Sequence, residues 1–281
     1  MPTIEELQRI STQVRRDIIR MVNGAASGHP GGSLGVADFL TVLYFEFMKP
    51  DQAHFTMEGK NEDLFFLSNG HLSPAWYSVL GHYGFFPVSE LGTFRKIGSR
   101  LQGHPATLEG LPGIRIASGS LGQGLSVSIG AAIAKKMNGD NHLVYTLMGD
   151  GELQEGQNWE ALMFAPAKKI DNLIATIDYN GKQIDGPVDK VLPLGNLRAK
   201  FEAFGWGVTE MNGNNILEVV SVLNIVKAKT GMGKPNMIIM HTHMGYGVDF
   251  MIDNHEWHGV PPTNEQAAKA LAQLPETLGD Y

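Results

Sequence analysis

Short, mostly apolar runs bounded by turn-forming residues recur along the chain, at residues 64–67, 143–148, 173–177 and 237–240. Such runs mark strands buried on both faces, as in a parallel sheet. Between them, apolar residues recur at helical spacing. In the first stretch these are Ile4, Leu7, Ile10, Val14, Ile18, Ile19 and Val22, with Thr3 as N-cap and Glu5 and Glu6 in the first turn. This predicts a helix from Thr3 to about Val22, ended by Asn23-Gly24. Residues 26–35 hold four glycines and a proline and predict a loop, with Ser33 capping a helix over 34–47. Residues 51–63 read as loop, 74–82 as helix and 88–97 as a second short helix after Pro87. The small-residue stretch from Ala117 leads into a helix through Met137. Further on, 157–165 and 192–204 read as helices and 206–210 as a strand. Asn214 or Asn215 caps a helix through Ala228, and 263–273 forms a terminal helix followed by a loose tail.

The organising stretch is 143–186: strand, tight turn, helix, strand, a βαβ unit. Strands and helices alternate throughout, with no linker or low-complexity segment. The expected architecture is α/β, doubly wound, with a mainly parallel sheet and helices on both faces, forming one domain over 1–281.

Ligands in such folds bind at the carboxyl ends of the strands. Gly149-Asp150-Gly151 follows the first strand of the unit and Asn180 the second. Gly-Asp-Gly alone reads as a turn, and Asn180 alone as a cap. Together they bring a carboxylate and an amide oxygen to adjacent strand ends. These are hard ligands suited to Mg²⁺, which completes its octahedron with phosphate oxygens and water. Gly149 and Gly151 let the backbone approach a diphosphate closely.

The spacing from Gly149-Asp150-Gly151 to Asn180 matches the thiamine-diphosphate motif, and the flanking residues through Gly156 and through Gly186 resemble transketolase in particular. The likeness covers nearly the whole chain, but only the amino-terminal part of a full-length transketolase. It implies thiamine diphosphate as cofactor, with Mg²⁺, or Ca²⁺ or Mn²⁺ in its place, held by Asp150, Asn180 and the main-chain carbonyl of Lys182. It puts His71, Gly149 and Gly151 on the diphosphate. Gly119, Ser120 and Leu121 would pack against the cofactor, Ile184 would press on its thiazolium, and His258 would reach both cofactor and substrate. It also gives Glu155 a role in communication between sites. His29 in Gly28-His29-Pro30 would face the reacting centre, and His104 in Gly103-His104-Pro105 would contact sugar hydroxyls. With His258 these would be acid/base groups titrating near pH 7. From local sequence alone, His29 reads as an exposed loop residue and His71 as a helix cap. The alternating His241 and His243 read as structural.

Composition narrows the choice. A net charge of −7 argues against nucleic acid as a partner. There is no cysteine, so no disulfide, thiolate nucleophile or Cys–zinc site exists. No apolar stretch approaches the ~18 residues of a membrane span, and no signal peptide is evident, so the expected address is the cytoplasm. Charged residues are 18% of the chain, below the ~25% of ordinary domains, which suggests surface covered by other subunits.

In transketolases the glutamate that activates the cofactor and the arginines that bind sugar phosphate lie on a later domain, absent from this sequence. The resemblance therefore implies one subunit of a split transketolase, active on sugar phosphates only with a separate carboxy-terminal chain, in an α2β2 assembly. The alternatives are another split thiamine-dependent enzyme and a non-catalytic cofactor-binding module. The former would be a deoxyxylulose-phosphate synthase, a sulfo-sugar transketolase or the α chain of a 2-oxo acid dehydrogenase.

Overall fold

The computed structural model describes residues 2–281. In chain order the strands are β1 (Leu64–Leu67), β2 (Val144–Gly149), β3 (Leu173–Tyr179), β4 (Lys182–Gln183), β5 (Gly186–Pro187), β6 (Gly207–Asn212) and β7 (Asn236–His241). The helices are α1 (Ile4–Gly24), α2 (Pro30–Gly35), α3 (Ala37–Val42), α4 (Ser73–Tyr83), α5 (Gly124–Met137), α6 (Gly156–Ala167), α7 (Val188–Val191), α8 (Leu197–Phe204), α9 (Ile216–Ala228) and α10 (Asn264–Gln273). Five strands form one parallel sheet in the order β1-β2-β3-β7-β6, and β4 and β5 make a small antiparallel hairpin beyond β3. This is the doubly wound α/β architecture, with helices on both faces.

The apolar runs became edge strand β1 and inner strands β2, β3 and β7, which are packed between helices; β1 and nearly all of β2, β3 and β7 are buried. Edge strand β6 alternates instead and carries Glu210 outward, held by Arg198 and His241. Helix α5 packs across β1, β2 and β3 with α6 and α8 beside it, while α1, α3, α4 and α9 pack on one another. Thr3 and Glu6 form a capping box on α1, and Thr263 and Gln266 form one on α10. Among the described residues, no helix is long and apolar enough to cross a membrane.

Several boundaries differ from expectation. Residues 30–35, expected as loop, are helical: Pro30 occupies the first turn, and Ser33 lies inside the helix, its hydroxyl donating to the His29 carbonyl at 2.7 Å. The glycines serve close packing there. A Cβ on Gly32 would meet Leu72 at 2.6 Å, and one on Gly31 would meet the Trp257 carbonyl at 2.9 Å. The expected helix 34–47 is broken at Val36 and ends in a π turn, Leu43–Phe47. The expected helix 88–97 is a 3₁₀ segment over Val88–Thr93 only. Residues 117–123 are irregular, and α5 starts at Gly124, where a Cβ would meet that of Ser68 at 2.3 Å. Helix α8 starts at Leu197, after Asn196 caps it, not at Leu192.

The tail is not loose. Asp280 accepts from Arg16 at 2.9 and 2.6 Å, Gln13 at 3.0 Å and Arg20 at 3.1 Å, and Arg20 lies over the Tyr281 ring. Polar groups buried along α1 provide a partner surface that no local pattern in the tail reveals.

Candidate active site

A cleft of about 360 Å³ opens at the carboxyl ends of β1, β2 and β3. Each strand end contributes: Asn69 and His71 after β1, Gly149 to Glu152 at the end of β2, and Asp178 and Asn180 at the end of β3. His29, His104, Gly119, Leu121 and His258 line it from surrounding loops, with Lys182, Gln183 and Ile184 on the hairpin. Parallel strands end at one level, so residues far apart in sequence meet there.

Asp150 is buried, and its carboxylate holds both strand-end turns. Oδ1 accepts from Gly151 N–H at 2.7 Å and Oδ2 from Gly181 N–H at 2.6 Å. Asn180 donates to Asp178 Oδ2 at 2.9 Å and accepts from Lys182 N–H, also at 2.9 Å. Asp178 also accepts from the Thr242 hydroxyl. Burial pushes the Asp150 carboxyl up to about 7, and nearby Asp178 adds to the effect. Burial pushes Asp178 up to about 6. Two buried carboxyls side by side resist ionising together unless a cation joins them. Among the described residues no cluster of three His, Cys, Asp or Glu could hold a metal. A set made of one carboxylate, one amide oxygen and a main-chain carbonyl is of a different kind.

Four histidines face one another across the cleft. His29 is central, its ring 5.1 Å from His71, 6.1 Å from His104 and 5.6 Å from His258. Burial, helped by His258, Arg95 and His104, pushes His29 down to about 4. His71 is held well below the usual histidine range and His104 is also lowered, in both cases chiefly by burial. Burial lowers His258 too, against the opposing charge of Asp185. Burial thus shifts His29, His104 and His258 below the ordinary histidine range, toward the neutral imidazole. Their neutral rings offer one donor and one acceptor each. His29 Nδ1, His258 Nδ1 and Asn69 Oδ1 are buried and have no partner within the protein.

Other expected residues divide. Gly119 and Leu121 line the cleft, and Gly119 has φ +136° with the His104 ring 3.0 Å from where its Cβ would be. Ser120 is exposed and outside the lining. Glu155 is exposed at the cleft edge, at the start of α6, and Ile184 is exposed on the hairpin. His241 and His243 lie elsewhere, in a wider groove of about 670 Å³ over β6 and β7. They bond Glu210 at 2.9 Å and Asp253 at 3.0 Å. That groove is larger, but it lacks the strand-end carboxyl pair and the histidine cluster.

Glu152 was missed by sequence reasoning. It is 2% exposed and accepts from Gly122 N–H at 2.7 Å, Gly149 N–H at 3.0 Å and the Ser68 hydroxyl. It thus joins the ends of β1 and β2 to the glycine-rich lead-in to α5. The only sequence signal was an acid directly after Gly-Asp-Gly, where a solvated first-turn residue was equally natural.

Residues 7–276 match the family described as transketolase, thiamine diphosphate binding domain. The chain is 38% identical over 269 residues to 6-deoxy-6-sulfo-D-fructose transketolase subunit SqwG of Clostridium sp. (strain MSTE9), covering 96% of each. It is 38% identical over 277 residues to one subunit of the apulose-4-phosphate transketolase of Phocaeicola vulgatus, covering 98% of this chain and 96% of the relative. The crystal structure of transketolase from Campylobacter jejuni superposes with a TM-score of 0.89 at 34% identity, covering 97% of this chain but 43% of that one.

Proposed function

The chain belongs to the transketolase family of transferases through its thiamine diphosphate binding domain, and on that premise we propose that it is the diphosphate-binding subunit of a two-chain transketolase. In this reading residues 1–281 act as one domain, and the assembly moves a two-carbon ketol unit from a ketose phosphate to an aldose phosphate in the cytoplasm. A separate chain brings the activating glutamate and the arginines for sugar phosphate, in an α2β2 arrangement. Two relatives of matching length carry the word subunit in their names, which supports a split enzyme.

The observation that carries the reading is the meeting of Asp150 with the Asn180 turn beneath a cluster of four histidines. The lining fits the implied groups. A divalent cation would relieve the Asp150–Asp178 pair, and the partnerless atoms of His29, His258 and Asn69 suit polar ligand groups. Asp150, Asn180 and the Lys182 carbonyl would hold the metal. Gly149, Gly151 and His71 would hold the diphosphate, with Gly119, Leu121, Glu155, Ile184 and His258 around the rest of the cofactor, and Ser120, outside the lining, is not among them. Thiamine diphosphate, when bound, supplies the carbanion chemistry. The chain's own contribution is binding, orientation and proton transfer. His29, His104 and His258 enter as neutral imidazoles, so they bind substrate hydroxyls and can accept a proton at a ring nitrogen.

One observation favours a variant of this reading. Identity to the sulfo-sugar relative equals that to the apulose-phosphate relative, so a sulfonated ketose is a second candidate donor. The test is ketol transfer by the chain alone and with its partner chain, over phosphorylated and sulfonated ketoses. The pair should be active and the pure chain inactive. Clear activity from the chain alone would sink the split-enzyme reading.

A further inference from the structure

Arg95 reaches both Gly-His-Pro loops. Its Nη1 donates to Ser27 Oγ, two residues before His29, at 2.9 Å. Its Nη2 donates to the carbonyl of Gly103, the residue before His104, at 3.4 Å. The guanidinium lies so close to Gly103 that a Cβ there would meet Cζ at 2.5 Å. The preceding Phe94 supports the first loop: a Cβ on Gly28 would lie 3.4 Å from its ring. Arg95 adopts φ +56°, a left-handed conformation that a non-glycine residue keeps only where its surroundings impose it.

We propose that Arg95 is a positioning residue that ties the two Gly-His-Pro loops together, so that His29 and His104 present their rings to the cleft as one unit. This rests on reading those two histidines as substrate-facing groups. The second loop is also held from α4, where Ser73 donates to the Gly103 carbonyl at 2.8 Å and Tyr77 to the Gln102 carbonyl at 2.9 Å. Arg95 is the side chain that joins this loop to the first.

The cation adds an electrostatic effect. Its hydrogen bonds go to neutral oxygens, and its Nε has no partner. Its charge therefore remains uncancelled locally and opposes protonation of His29 and His104, secondary to burial in each case. The other groups facing this pair are His71 and His258 across the cleft, with Asp185 acting on His258. On the outer side are Tyr77, next to Arg95, and Glu109, which lines a side cavity with Arg95 and His104. An arginine here gives a fork for two loops and a fixed charge, whereas lysine would keep only the charge.

Histidine side-chain NMR on the full chain tests this, with Arg95→Met, Arg95→Lys and Ser27→Ala beside the parent. Arg95→Met should raise the His104 titration midpoint by about half a pH unit and weaken the ring-to-ring cross-relaxation between His29 and His104. Arg95→Lys should keep the midpoint but lose the ring-to-ring signal. Ser27→Ala should behave like Arg95→Lys. An unmoved midpoint in Arg95→Met, or full ring-to-ring signal in Arg95→Lys and Ser27→Ala, would overturn the proposal. If Arg95→Met does not fold, the other two variants still decide whether the loops are tied. The readout is independent of ketol transfer, so failure here and failure of the functional reading are separable.

Discussion

Gly181 gives its main-chain N–H to Asp150 Oδ2 at 2.6 Å. The turn after β2 and the turn after β3 are thereby one unit, with Asn180 carried next to the carboxylate. Such pre-assembly lowers the ordering cost of binding, because the turns need not be brought together by the ligand.

Asp150→Asn should keep an acceptor for Gly181 while removing the charge a metal needs. Metal-dependent binding of thiamine diphosphate should weaken by at least about 100-fold, since even outer partners of metal ligands are worth 10–100-fold. Calorimetry with and without Mg²⁺ reads this directly. Undiminished affinity would remove Asp150 from the metal site.

In acid His29 should contribute a loss of stability, opposed in the same pH range by the raised Asp150 and Asp178 carboxyls. His29 titrates at about 4 in the folded chain, against 6.5 when unperturbed. Between those values the unfolded chain binds the extra proton, so the His29 contribution is intact above pH 6.5 and is lost as pH falls toward 4. For His29 alone the loss is about 2–3 kcal/mol. Urea unfolding of the parent and His29→Asn at pH 7, 6, 5 and 4 measures it as the stability difference between the two, which should shift in favour of the variant as pH falls. Parallel slopes in both proteins would contradict the assignment.

Glu152→Ala should strip acceptors from the buried amides of Gly122 and Gly149. The expected destabilisation is about 2–4 kcal/mol, with Glu152→Gln milder because one oxygen remains. Thermal melts of both variants would show the order, and equal melting temperatures would argue that water replaces the carboxylate.

Asp280→Ala should cost about 1–2 kcal/mol, since it removes a half-buried acceptor shared by Gln13, Arg16 and Arg20. Amide exchange over residues 274–281 should rise with it. A tail that exchanged freely in the parent chain would show that this anchoring is not kept in solution.

Sequence pattern alone predicted the strands at 64–67, 143–148, 173–177 and 237–240, and the helices α1, α9 and α10, close to where they lie. Burial on both faces leaves an unbroken apolar run, and burial on one face leaves a helical period, so these signals are local. The helix at Pro30–Gly35 left no such signal. Its glycines argue for a loop by propensity, yet Leu72 and the Trp257 carbonyl approach from distant parts of the chain and leave no room for side chains. The anchored tail is invisible for the same reason, because its partners lie on α1.

The site divides along the same line. Residue types and their placement after predicted strands were enough to nominate Asp150 and Asn180, because parallel topology forces strand ends to meet, whereas the four histidines were nominated by the resemblance to transketolase. Their electrostatic state was not in the sequence. Neutral histidines, an Asp150 resisting ionisation beside Asp178, and the buried Glu152 clamp all depend on how much water and which charges surround each group. Only the packed chain decides that, since solvation is set by neighbours that come from everywhere along it.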